Sequence, residues 1–442
     1  MVKKTTIGLL VAAAWWAAPL SADLCTTDNV PAATLLLPYF EVDLESPGSF
    51  TTLMSVNNAT AEPVLAHVTF WTDQSVPTLD FDLYLTGFDV QTINLRDVFN
   101  GHLPRTADAA RDPGDTISPQ GELSGDASFP GCGATLPYDD PALSDLLRTH
   151  LREAHVGHLS PVYGRCAGLD YGGPIWVARG YVTIDAVNAC NLEFPSSPGY
   201  FAADGSGLAR NENVIWGDYF YVSPGENYAQ GEPLVHIEAC VPGPRGLEPQ
   251  DDCPFVAGDY TFYGRYVAAS AADQREPLGT TWANRYMLGG GFDGGTDLIV
   301  WRDAKTVATT GFACGSNASW FPLNQADVVA FDEEENPTDL CFRGDNISPP
   351  IGGADACFPA EAQRVNLRES IVPGGTSPDP PADFGWLYLN LNTTVSGGLF
   401  GATAQSYVTA IFSAQDRFSV GFSAIALDNA CDTVGTGTLL IP

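Results

Sequence analysis

The sequence predicts an all-β protein: two tandem antiparallel β-sandwich domains of immunoglobulin-like type, related by an internal duplication, with one helical insertion in the first. Three observations predict it. Most periodic stretches alternate with period two. Gly, Pro, Asn and Asp bound those stretches. A string also recurs: Gly114-Asp115-Thr116-Ile117-Ser118-Pro119 returns as Gly344-Asp345-Asn346-Ile347-Ser348-Pro349. Each copy is followed at nearly the same gap by a second shared string, Asp126-Ala127-Ser128-Phe129-Pro130 and Asp355-Ala356-Cys357-Phe358-Pro359.

The chain opens with Lys3 and Lys4, an apolar run from Ile7 to Ala18, and then Pro19-Leu20-Ser21-Ala22. This is a signal-peptide pattern over residues 1–22, with cleavage near Ala22. The run is too short to span a bilayer, and no later segment approaches a transmembrane helix. The mature chain is expected to be a bacterial protein that is secreted, periplasmic or held at the cell surface.

Further landmarks keep their order in both halves. Thr51-Thr52 precedes Trp71-Thr72-Asp73, as Thr280-Thr281 precedes Trp301-Arg302-Asp303. Leu85 and Asp89-Val90 match Leu323 and Asp327-Val328, Gly180-Tyr181 matches Gly385-Trp386, and Ala239-Cys240 matches Ala430-Cys431. These place one domain at 25–248 and the second at 249–442, joined through the Pro/Gly-rich stretch from Pro242 to Pro249.

Within this frame, Val64–Trp71, Phe81–Leu85, Tyr181–Val187, Leu234–Glu238 and Phe418–Leu427 read as strands, and Val56–Pro63 as a hairpin connection. The first domain holds extra residues between Pro130 and Gly180, an insertion at about 131–170. Asp140 can cap a helix there, Pro141 suits its first position and Gly157 its end. Leu143, Leu146, Leu147, Leu151 and Ala154 form its apolar stripe.

Ten cysteines in an exported chain read as disulfides. Five lie in each half, so complete oxidation needs a bridge between halves. Cys132–Cys166 and Cys341–Cys357 are the expected pairs. No Cys-x-x-Cys pair supports zinc. The formal charge of −33 repels nucleic acid and anionic lipid. Lys305 is the only lysine left after cleavage.

Candidate chemistry is sparse. His150, His155 and His158 lack metalloprotease spacing and are expected to be solvated at a helix end. His67 and His236 lie in strands and are expected to be buried with a hydrogen-bond partner. Gly421-Phe422-Ser423-Ala424-Ile425 lacks the last Gly of a nucleophile elbow. Asp80 and Asp82, or Asp293 and Asp297 if extended, fall on one strand face and are the carboxylate pairs a glycosidase would use. The repeated Asp115/Asp345 and Asp126/Asp355 read as turn residues before calcium ligands. The same holds for the run Asp332-Glu333-Glu334-Glu335, and Gly289–Asp297 bears a faint likeness to a calcium-binding nonapeptide that works by stacking, here in a single copy. No cofactor is predicted, calcium being the one ion these carboxylates raise, and the catalytic and metal residues are unknown.

Two aromatic runs, Trp216–Tyr221 and Tyr260–Tyr266, remain. On a strand half of each run faces inward, and what faces out can stack on sugar rings. The function expected is therefore that of a secreted or surface-associated binding or structural protein, with an extracellular glycan or a cell-surface protein as partner. The alternatives are an extracellular polysaccharide hydrolase using paired carboxylates, and an outer-membrane barrel, against which the ten cysteines count.

Overall fold

The computed structural model describes residues 29–138, 141–172, 176–240, 255–268, 270–307, 310–341, 356–392, 404–414 and 417–428. The described chain has far more strand than helix, in four antiparallel sheets. In order, the first half carries β1 (Thr34–Asp43), β2 (Thr51–Asn58), β3 (Val64–Thr72), β4 (Pro77–Leu85), β5 (Val90–Asn94), α1 (Leu95–Phe99), α2 (Cys132–Thr135), α3 (Asp145–His155), β6 (Val177–Val187), β7 (Ile215–Ser223), β8 (Tyr228–Pro233) and β9 (Val235–Ile237). The second half carries β10 (Thr281–Met287), β11 (Gly295–Arg302), β12 (Asp327–Phe331), β13 (Pro337–Asp339), β14 (Ala362–Asn366), β15 (Phe384–Asn390), β16 (Ser406–Ala414), β17 (Phe418–Ser423) and β18 (Ile425–Ala426).

Sheet A has the order β5-β2-β7-β8, and sheet B β4-β3-β6-β1-β9. Sheet C is β14-β11-β16-β17, and sheet D β13-β12-β15-β10-β18. Adding nine to each strand number of A and B gives C and D. The match reaches single residues. Thr52 Oγ1 donates to the Glu41 carbonyl (3.0 Å) and accepts from the Glu41 amide (3.2 Å), stitching β2 to β1. Thr296 does the same to Met287, both at 2.9 Å, stitching β11 to β10. Trp71 lies opposite Tyr181 and Phe331 opposite Trp386, both as stacked rings. At Gly180 and Gly385 a Cβ would stand 2.0 and 1.9 Å from the carbonyl oxygens of Trp71 and Phe331, so no side chain fits at either.

Most of the other landmarks read from sequence fall on strands that do not correspond. Thr51-Thr52 open β2, whereas Thr281 opens β10, the counterpart of β1. Trp71 is next to last in β3, whereas Trp301 is next to last in β11, the counterpart of β2. Asp345, Asp355 and the boundary at 248/249 lie outside the described residues.

The sheets stack as A, B, C and D. Strands β1 of sheet B and β11 of sheet C have every or nearly every residue buried, because both faces of each sheet are covered. Strand β7 of sheet A alternates buried and open, so one face of that sheet is covered. Pro38 offers no N–H to the ladder, and the register of β1 shifts there, between Leu37 and Phe40. Burying Ile299, Trp301 and Ile411 of sheet C contributes about 1.5–3 kcal/mol each.

Three bridges appear among the described residues: Cys132–Cys190, Cys166–Cys314 and Cys341–Cys357. The last was expected. Cys132–Cys166 was not found: Cys132 instead ties α2 to the loop after β6, and Cys166 joins the two halves. The helix begins later than expected, with Ser144 as its cap, its Oγ accepting from the Leu147 amide. Gly157 follows its end in the left-handed region, as expected. Its apolar stripe was misread. Leu146 and Leu147 are exposed, while His150, Leu151, Ala154 and His155 face the protein.

Candidate functional site

Sequence β7 alternates cleanly, so Ile215, Gly217, Tyr219 and Tyr221 point inward and Trp216, Asp218, Phe220 and Val222 outward. Nothing described covers the outward set. Trp216 is 41% and Phe220 44% exposed. Four residues along a strand separate them by about 13 Å. Between them runs a polar ladder: Asn57 Nδ2 donates to Ser55 Oγ (3.1 Å), and Ser55 Oγ donates to Asp218 Oδ1 (2.9 Å). The Asn57 Oδ1 is buried without a partner among the described residues.

The edge strand is shaped to this face. Gly231 on β8 lies opposite Phe220, and a Cβ there would come within 2.3 Å of its ring. The ring therefore lies flat over the glycine. At the other end, Phe88 is held exposed at φ +59, a strained conformation for a bulky residue. Phe88, Trp216, Asp218 and Pro233 line a depression of about 650 Å³ with His236 at its base. Of the residues this face presents from β2, β5, β7 and β8, Asp218 alone carries a charge. In a chain of net charge −33, this face is nearly neutral and carries two open aromatic rings.

A second concavity, about 440 Å³, lies where the halves meet. Tyr228 lines it from the first half, and Asp293, Arg364, Arg368, Arg417 and Phe418 from the second. Guanidinium groups hold two of the carboxylates in and beneath it. Arg417 pairs with Asp293 at 2.8 Å, and Arg364 grips Asp297 through Nε and Nη2. A glycosidase needs two carboxyls facing each other across an open sugar site.

The carboxylate pairs named from sequence are placed otherwise. Asp80 and Asp82 do share a face of β4, but both turn to His67, whose Nδ1 lies 2.8 Å from Asp82. Burial pushes Asp80 up to about 6. Asp293 sits in a turn and Asp297 in β11, so they share no strand face. His67 and His236 are buried as expected. His150 and His155, expected to be solvated, are buried on either side of Thr78. His150 Nε2 contacts the Thr78 carbonyl and His155 Nε2 the Thr78 hydroxyl. Burial drives the His155 imidazole down to about 3. His158 stays partly open beside Glu153.

The turn readings have local support. Asp115 accepts from the Gln120 amide, and Asp332 from the amides of Glu334 and Asn336 at the β12–β13 hairpin. Asp126 accepts from the Tyr84 hydroxyl. Ser423 donates to Glu232.

The second aromatic run forms no strand. It lies buried against the covered face of sheet B. Phe262 stacks on Trp301, Tyr266 packs on Trp71, and Tyr263 donates to Asp185. Arg265 bonds Glu361 (2.6 Å), Tyr181 and Ser75, and Arg275 bonds Thr34. These arginines were not singled out from sequence. Their signal is that the chain has so few cations, 20 Lys and Arg against 53 Asp and Glu.

No protein-family model, curated protein or solved structure matches the chain.

Proposed function

We propose that this is a secreted or surface-associated binding or structural protein whose working surface is the open face of sheet A. The observation that carries the reading is the pair Trp216 and Phe220, held open on a strand whose other side is core. Such a face takes a partner that is flat and apolar on one side, with hydroxyl or amide groups for Asp218, the half-buried polar side chain between the two rings. A pyranose ring of an extracellular glycan and an apolar protein surface both meet that description. The hydrolase reading has less support, because arginines already hold Asp293 and Asp297 at the cleft between the halves.

We read the two halves as copies of one sandwich module, immunoglobulin-like in kind, on the strength of the shared strand order. Export with cleavage near Ala22 is supported by the leading residues and by the bridges. The test of function is a binding screen with the mature protein on a glycan array and on immobilised mature protein. Binding that W216A and F220A abolish, at unchanged melting temperature, is expected. Binding that both variants retain in full would refute the assignment of this face.

A further inference from the structure

We propose that the chain assembles head to tail, the open face of sheet A in one copy seating on sheet D and the bared side of β17 in the next. This rests on reading sheet A as the working face, and it names the partner. The reasoning starts from the interface already inside the chain. There, sheet C seats on sheet B, with Trp301 edge-on to Tyr181 at 6.0 Å and Arg364 reaching Glu41. By the strand correspondence, the seating face of C is the counterpart of the open face of A. The Thr52/Thr296 match sets the register: Leu53, Ser55 and Asn57 occupy the positions of Asp297, Ile299 and Trp301. Trp216, Asp218 and Phe220 occupy those of Tyr407, Thr409 and Ile411, and Gly231 that of Gly421.

The receiving face has a counterpart too. Trp71 and Tyr181 on sheet B, which receive Trp301, correspond to Phe331 and Trp386 on sheet D, a stacked pair that is half-buried. One seating face and one receiving face are used inside the chain; on the second receiving face Phe331 and Trp386 stay half-open, while Val329 and Tyr388 beside them are buried.

The edge strands give the chemical check. Inside the chain, β17 turns Ser419, Gly421 and Ser423 toward β8, which answers with Gln230 and Glu232. Ser423 donates to Glu232, and a Cβ on Gly421 would stand 2.3 Å from Gln230 Nε2 and Glu232 Oε1. Polar meets polar around a glycine. The leftover surfaces are Ala229, Gly231 and Pro233 on β8, and Phe418, Val420 and Phe422 on β17, the counterparts of Tyr228, Gln230 and Glu232. Phe418 and Val420 are 48% and Phe422 39% exposed. Here apolar would meet apolar around a glycine. An interface between different patches propagates into an open filament unless its rotation closes a ring.

Sedimentation velocity of the mature chain across a concentration series tests this. Masses above one chain that grow with concentration are expected. F422E and W216E should each sediment as single chains while keeping the wild-type melting temperature, since both positions are open. A wild-type chain that stays monomeric at every concentration overturns the proposal, and so does an assembly that either variant leaves intact. A monomer that binds glycan through Trp216 would overturn the assembly and leave the working face of sheet A standing.

Discussion

Sheets A and C share one strand order, yet they meet opposite fates. The outward face of C is sealed against sheet B, with Ile299, Trp301, Thr409 and Ile411 all buried. The equivalent face of A stays open, with Trp216 and Phe220 at its ends and Ser55, Asn57 and Asp218 between. Topology supplies the same platform twice. The residues on it decide whether the platform becomes core. On C the middle of the face is apolar and the charge is moved to the rim, where Arg364 joins Asp297 to Glu41. On A the middle is a polar ladder whose hydrogen bonds are made within the sheet, Asn57 to Ser55 and Ser55 to Asp218.

The largest effect should come from Trp301→Ala. It removes a ring packed against Phe262 and Tyr181 and should cost about 3–5 kcal/mol, read from urea unfolding. A loss as small as that of a surface substitution would break the comparison, because sheet C would then not be sealed by that ring. Next comes the bridge between the halves. The paired substitution C166S/C314S opens a link spanning 148 residues and should cost about 2–5 kcal/mol, measured the same way under non-reducing conditions.

The sealed interface also titrates. Burial pushes Glu361 from 4.5 up to about 7, against the pull of Arg265. A carboxyl whose folded value is raised contributes stability that is complete below about 4.5 and is lost as pH rises through about 7. Wild type should therefore lose stability relative to E361Q across that window, in thermal melts from pH 4 to 8. A difference that stays flat would contradict the buried placement. The helix behaves in the opposite sense. His155, lowered from 6.5 to about 3, contributes stability present above its unfolded value and lost as pH falls toward about 3. The smallest effect belongs to the open face. Trp216→Ala should change stability by less than about 0.5 kcal/mol, so the two tryptophans sharpen the contrast from either end.

Much of this was legible in the sequence, and the failures have physical causes. Period-two alternation located β3, β4, β6 and β17, and it split the run Trp216–Tyr221 into an inner and an outer set. It could not say which set was outer, because aromatic residues suit both sides. Gly180 and Gly385, paired from sequence, stand at the same place in the two strand orders, and at each a neighbouring carbonyl leaves no room for a side chain. The Thr-Thr and Trp-x-Asp pairs misled because such pairs occur on any strand, whereas the likeness of the two halves in the structure lies in strand order. Around α3, leucines suggested the buried stripe, but the Thr78 carbonyl and hydroxyl gave His150 and His155 partners inside. Those partners are far from the helix in sequence. The arginines that bolt the halves together show no periodicity, so their role emerged from contacts alone.

The most direct test of complementarity between the two open faces is to mix the variants W216E and F422E and measure mass by sedimentation equilibrium. Each variant keeps one intact face, so the mixture should yield a complex of two chains and no larger, while each variant alone stays single. A mixture that remains monomeric would contradict the account.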